Sequence, residues 1–143
     1  MQTSKKISEQ TGARIATVML LEPDVIARLA LADYLRDCGY RVIEGYKPEE
    51  VFTVLEAGTA IDIILAQVRL AGDLDGVALA KRLRESHPGI DVILAVGAAN
   101  AADKAGDLCE TGPQQLRPYH PQELLRRIQL LREKRRVRDD GAS

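Results

Sequence analysis

The stretch Ala60-Ile61-Asp62-Ile63-Ile64-Leu65-Ala66-Gln67 decides the fold. Side chains alternate across a strand, so Ile61, Ile63, Ile64 and Leu65 cannot all face one side. The run is therefore predicted to be a central strand, covered on both faces, as in a parallel sheet. Upstream, Ala16 to Leu21 (ATVMLL) has the same unbroken apolar character and ends at Glu22-Pro23. Downstream, Asp91 to Val96 (DVILAV) repeats it. Helical signals lie between these runs. Asp24 is placed to cap a helix whose apolar stripe is Val25, Leu29, Ala32 and Leu35, widened by Ile26 and Ala30. Gly39 is placed to end it in the left-handed conformation.

The remaining chain continues the alternation. Tyr40 to Glu44 reads as a short strand, and Pro48 opens a helix with Val51, Val54 and Leu55 inside and Gly58 at its end. Val68 to Gly76 is a loop turning on Gly72 and Gly76. Val77, Ala80 and Leu83 set a third helix, which stops near His87-Pro88-Gly89. Ala98 to Leu108 is alanine-rich and is predicted to be a weak, mobile helix. Gln115 to Arg117 is predicted to be a fifth strand, followed by a last helix from Pro121 with Leu124, Ile128 and Leu131 on one face. That helix is expected to fray within Arg132 to Asp140. The domain reading is a disordered lead over 1–12, one domain over 13–134 and a charged tail over 135–143.

The 143 residues suffice for one domain, and 45% of them are hydrophobic, enough for a core. Twenty basic residues stand against 21 acidic ones. That near-neutral balance makes nucleic acid an unlikely partner and gives no reason to expect an anionic membrane. No run is long enough to cross a bilayer, and the polar N-terminus lacks the apolar part of a signal peptide, so a cytoplasmic location is expected. Cys38 and Cys109 are expected to be reduced thiols. No Gly-x-Gly-x-x-Gly follows the first strand, and no Gly-rich loop closes on Gly-Lys-Ser/Thr, so two common nucleotide-binding devices are absent.

In such a sheet the chemistry sits at the carboxyl ends of the strands, here Glu22, Gln67, Val96 and Arg117. The order and spacing of VMLLEPD (18–24), DCGYRV (37–42), DIILAQVRLAGDLDG (62–76), LRESHPGIDVILAVG (83–97) and LRPY (116–119) resemble the receiver domains of bacterial two-component response regulators. The third landmark looks most like receivers attached to, or partnered with, sensor kinases. The resemblance implies a flavodoxin-like α/β fold, a five-stranded parallel sheet in the order 2-1-3-4-5 with helices on both faces. It also implies where a phosphorylation pocket would lie. In that family an acid pair after strand one and an aspartate ending strand three hold Mg²⁺, and the aspartate accepts a phosphoryl group. A Ser or Thr ending strand four and a Lys ending strand five bind its oxygens.

By that resemblance the acid pair falls on Glu22 and Pro23, the acceptor on Gln67, the hydroxyl on Val96 and the lysine on Arg117. The aromatic switch position falls on Gln114, and the loop proline on Ala71. An amide is a poor nucleophile and a weak ligand for a hard cation. Valine offers no hydrogen bond to a phosphoryl oxygen. The expectation is a degenerate receiver and not an enzyme, with Mg²⁺ binding lost or very weak, acting through a protein partner such as a sensor histidine kinase. Gln67 is expected either to be a spacer or to bond Arg117 or the loops, Glu22 to be a remnant or a partner of Arg117, and Val96 to be core. A homodimer is possible through helix four, strand five and helix five, with Gln114, Tyr119 and Arg127 on that face. The alternatives are a non-standard acceptor, Asp73 or Asp75, and a small ligand or anion held by Arg117.

Overall fold

A computed structural model of the protein describes residues 15–70, 74–114 and 117–141. The elements are β1 (Thr17–Leu21), α1 (Val25–Asp37), β2 (Arg41–Gly45), α2 (Glu49–Glu56), β3 (Ile63–Gln67), α3 (Gly76–Ser86), β4 (Asp91–Ala95), α4 (Gly97–Glu110) and α5 (Pro121–Gly141). The strands are all parallel, in the order β2-β1-β3-β4. Leu20 lies beside Leu65 and Gln67 beside Ala95 in the ladder. As the apolar run requires, β3 divides its side chains: Leu65 joins the core on one face, and Ile64 and Ala66 the core on the other.

The sheet has four strands among the described residues, not five. Arg117 is not in a strand, and Gln115 and Leu116, which carry the rest of the expected fifth strand, lie outside the described residues. Instead α4 lies on the α1 face of the sheet, where its Ala101, Ala102, Ala105, Leu108 and Cys109 share one buried cluster with Leu31 and Leu35 of α1. Helix α5 makes its main contacts with α1 and α4, forming a layer outside them, with Leu124 and Ile128 fully buried. The opposite face is covered by Val51 of α2 and Leu79 and Leu83 of α3.

Three expectations about helices need correction. The buried stripe of α1 is Ala27, Leu31, Ala32, Tyr34 and Leu35, while Val25 and Leu29 are exposed. Tyr34 draws the stripe round, because its buried hydroxyl donates to the Tyr119 carbonyl at 2.8 Å. The alanine-rich segment is a well-packed 14-residue helix, since small residues let it approach α1 and α5 closely. Helix α5 continues through the charged residues to Gly141, aided by Arg135–Asp139 and Arg136–Glu133 pairs one turn apart.

Gly106 shows how close α4 and α5 come. A Cβ there would lie 2.3 Å from Cγ of Pro121, the first residue of α5. Neither the helix backbone nor a proline ring yields easily, so Gly106→Val is expected to cost about 1–3 kcal/mol through overpacking. Urea denaturation of both proteins checks it, and an unchanged midpoint would contradict the close α4–α5 packing.

The two cysteines are not free thiols. Cys38, which caps α1, and Cys109, near the end of α4, are joined in a disulfide with Cα atoms 5.5 Å apart, and both are fully buried. Around it the Tyr40 hydroxyl donates to the Leu108 carbonyl at 2.6 Å, and Gly112 lies against the Tyr40 ring. Gly39, with φ of +102°, turns the chain just after Cys38 as expected.

Candidate functional site

The carboxyl ends of β1, β3 and β4 bring together Glu22, Gln67 and the Val96-Gly97 turn. Gln67 is the hub. Its Nε2 donates to Glu22 Oε1 at 2.9 Å and to the Gly97 carbonyl at 3.1 Å, and its Oε1 accepts from the Gly97 N–H at 2.9 Å. Both ends of the amide are therefore used, and Gln67 ties β1 to the start of α4. Gly97 can make this double contact because it sits at φ +85°, a conformation that side chains disfavour. The adjacent Val96 N–H is capped by Asn100 Oδ1 at 2.9 Å.

Glu22 is only 5% exposed. Its second carboxylate oxygen accepts from the Asp24 N–H at 3.1 Å. Burial is the strongest influence on it and raises its carboxyl above the ordinary value, partly offset by the Asp24 N–H and the Gln67 amide. Asp24 caps α1 as expected, accepting from the N–H groups of Ile26 and Ala27, and also pairs with Arg132 of α5. Burial acts to raise the Asp24 carboxyl, but the Ala27 N–H, Arg132 and the Ile26 N–H together hold it below its usual value.

The raised Glu22 pKa has a defined consequence. A carboxyl whose folded pKa exceeds its unfolded one contributes stability that is present below the unfolded pKa and is lost as pH rises through the folded value. Glu22→Gln removes this titration. The melting temperature of E22Q relative to the parent is thus expected to move in favour of E22Q from about pH 4 to pH 8. A pH-independent difference would contradict the burial of a titrating carboxyl.

The other expected members of the pocket are elsewhere. Pro23 is exposed and offers no ligand side chain. Val96 is not core: it is 75% exposed. Arg117 does not reach Gln67 or Glu22, and pairs instead with Glu110 at 2.8 Å. Glu110 closes α4, thirteen residues after Gly97. At 1.5 Å per residue that is about 20 Å away, toward the opposite end of the sheet. Arg28 of α1 reaches the carboxyl ends, where its Nη1 donates to the Glu22 carbonyl at 2.8 Å, and so does Arg132, delivered by the long α5. Sequence reasoning missed Arg132, because it lies in a run of charges where no single arginine stands out. Asn100 was missed too, although a polar residue in the first turn of a helix is a capping signal.

The proposed face is also rearranged. Tyr119 packs edge-on against Tyr34, with ring centroids 5.0 Å apart, and its hydroxyl accepts from Arg127 Nη1 at 3.0 Å. The Arg127 guanidinium lies 5.1 Å from the Tyr119 ring centre. Gln114 is exposed and sits against Gly39 near the disulfide. Asp75 serves as the N-cap of α3, accepting from the Ala78 N–H. Asp73 and Ala71 lie outside the described residues.

Comparison with known proteins fits this geometry. The family model described as the response regulator receiver domain matches residues 18–129. A curated relative, the sensor kinase CckA of Brucella abortus (strain 2308), is 32% identical over 100 residues, or 68% of this chain. That match spans only 10% of the kinase's length. Among solved structures, the signal receiver domain of an HD domain-containing protein from Pseudomonas fluorescens Pf-5 superposes with a TM-score of 0.56 at 19% identity, covering 87% of this chain and 99% of that one. A receiver domain protein from Clostridium thermocellum gives 0.54 at 17% identity, covering 86% and 98%. The Salmonella typhimurium RcsB response regulator gives 0.52 at 16% identity, covering 66% of this chain and 48% of that one. No helix among the described residues is long and apolar enough to cross a membrane.

Proposed function

The chain belongs to the response regulator receiver domain family, and from that premise we propose that it is a degenerate receiver, not phosphorylated at Gln67, that signals by binding a protein partner. The observation that carries this reading is the complete use of the Gln67 amide by Glu22 and Gly97. In the family an aspartate stands there as nucleophile and ligand. An amide tied at both ends does neither, and it holds together two elements that an acceptor site would leave open to an incoming phosphoryl group.

The residues present do not fit Mg²⁺. The ion prefers several anionic oxygens in near-octahedral array. Among the described residues Glu22 is the one carboxylate beside Gln67, and both its oxygens already accept hydrogen bonds. Asp24 is engaged by two backbone N–H groups and Arg132. In a ¹⁵N NMR titration with millimolar Mg²⁺, no saturable shift is expected at Glu22, Gln67 or Arg69. Saturable shifts confined to those residues would overturn the reading.

For the partner, a histidine kinase or another signalling protein is the class that the family brings with it. The proposed contact surface is the side of α5 that borders α1, where Arg127 and the preceding Tyr119 lie beside Leu29 and Asp33, and the same side would carry a homodimer. The Arg127–Tyr119 pair presents a planar cation beside an aromatic ring, a combination common at the energetic centre of interfaces. A sedimentation concentration series reads self-association. Partner binding left untouched by Arg127→Ala would count against this surface.

A further inference from the structure

We propose that Cys38 and Cys109 form a reversible thiol–disulfide lock that fixes α4 on the sheet. This inference goes beyond the reading of the Gln67 site and does not depend on it, since it concerns the other end of α4.

Helix α4 is pinned at both ends and packed along its middle by small side chains. At its start, Gln67 grips Gly97. Its middle contributes Ala101, Ala102, Ala105 and Gly106, which fit closely but remove little apolar surface from water. Its larger anchors, Leu108 and Cys109, lie together in the last turn. The disulfide ties that turn to the C-cap of α1 across 71 residues of chain. With the bond open, the last turn of α4 would keep the Tyr40–Leu108 hydrogen bond and the burial of Leu108. Opening the bond removes the covalent tie between α4 and α1 and leaves that turn to these weaker contacts.

The chemistry requires a low-molecular-weight thiol and its disulfide, of the glutathione class. In the closing direction one cysteine thiolate attacks the small disulfide, forming a mixed disulfide and expelling one small thiolate. The second cysteine thiolate then attacks the protein sulfur of that mixed disulfide, closing Cys38–Cys109 and expelling the second small thiolate. Both cysteines are oxidised, one small disulfide is reduced to two thiols, and two protons move from protein to small thiols. Opening is the reverse. Both sulfurs are fully buried among apolar side chains, so exchange passes through a state in which the end of α4 has lifted.

The test equilibrates the full chain with mixtures of reduced and oxidised glutathione. Thiols are counted by maleimide labelling and intact mass, and amide exchange is followed by mass spectrometry. Expected are no adducts in the oxidised form, two in the reduced form and full reversibility. Exchange across Ala101 to Glu110 should rise on reduction roughly tenfold or more beyond any rise over α2 and α3 that the lower global stability brings. Cys109→Ala should exchange like the reduced parent and ignore glutathione. If that variant fails to fold, the reduced parent still decides. A bond that never opens short of global unfolding, equal α4 exchange in the two forms, or an α4 rise no larger than that over α2 and α3 would each overturn the lock.

Discussion

Opening the Cys38–Cys109 bond is expected to lower the stability of the domain by about 4 kcal/mol, the largest effect of any single change considered for this chain. The bond closes a loop of 71 residues, half the protein. Cross-linking so long a loop removes much of the freedom of the unfolded chain, and the cost of closure grows with the logarithm of loop length. Domains of this size are stable by only about 5–15 kcal/mol in total, so such a loss is readily measured. Guanidinium denaturation with and without a reductant gives the difference directly. A Cys38→Ala, Cys109→Ala double variant should match the reduced parent. Equal midpoints in oxidised and reduced protein would show that the bond adds nothing.

The second large effect is expected at Gln67. Changing it to Asp restores the acceptor type of the family but should not restore phosphorylation. It should also lower stability at neutral pH by about 2 kcal/mol, from lost hydrogen bonds and like-charge crowding. The Gln67 Nε2 donates to two acceptors, Glu22 Oε1 and the Gly97 carbonyl. A carboxylate donates to neither, and it places a second negative charge beside the buried Glu22. In the family a metal and a lysine would offset that charge. Here Pro23 supplies no ligand side chain and Arg117 is bound to Glu110 at the far end of α4. The loss should shrink as pH falls and the carboxyls protonate. Acetyl phosphate treatment followed by intact-mass spectrometry reads the chemistry, and thermal melts at pH 5 and pH 8 read the electrostatics. A substantial phosphoryl adduct at residue 67 of the Gln67→Asp protein would show that the site has decayed less than argued.

Much of the fold is written locally. The runs ending at Leu21, Gln67 and Val96 are apolar on both sides, and they give the three neighbouring strands β1, β3 and β4, the last closing one residue earlier than read, at Ala95. Asp24 as a cap and Gly39 as a left-handed turn also follow from one residue's chemistry, and both stand where expected. The misses depend on distant parts of the chain. Helical spacing alone gave α1 a stripe through Val25 and Leu29, but the Tyr34–Tyr119 hydrogen bond across 85 residues rotates it. An alanine-rich helix reads as weak when only its own side chains are counted. Small residues are what let α4 settle between the sheet, α1 and α5. Once α4 occupies that face, the chain after Glu110 starts from the end of the sheet away from Gln67, and Arg117 stays there.

The candidate site was legible as a set of positions but not as an arrangement. Glu22 and Gln67 meet as the strand ends require; Gln67 was expected either to be a spacer or to bond Arg117 or the loops, and it bonds Glu22 and Gly97, the first residue of α4. Val96 reads as core because it is apolar, yet the turn at Gly97 points it outward. Two cysteines 71 residues apart carry no signal of proximity in one sequence. Only the layer formed by α1 and α4 brings them within bonding reach.

The claim at the centre of this account is that the unaltered protein takes no phosphoryl group at the strand ends. Incubation with acetyl phosphate and Mg²⁺, followed by intact-mass spectrometry and peptide mapping, tests it most directly. The account predicts an unchanged mass under conditions that fully modify a standard receiver run alongside. A stoichiometric phosphoryl adduct mapped to any residue around Glu22 and Gln67, or to Asp73 or Asp75, would contradict it.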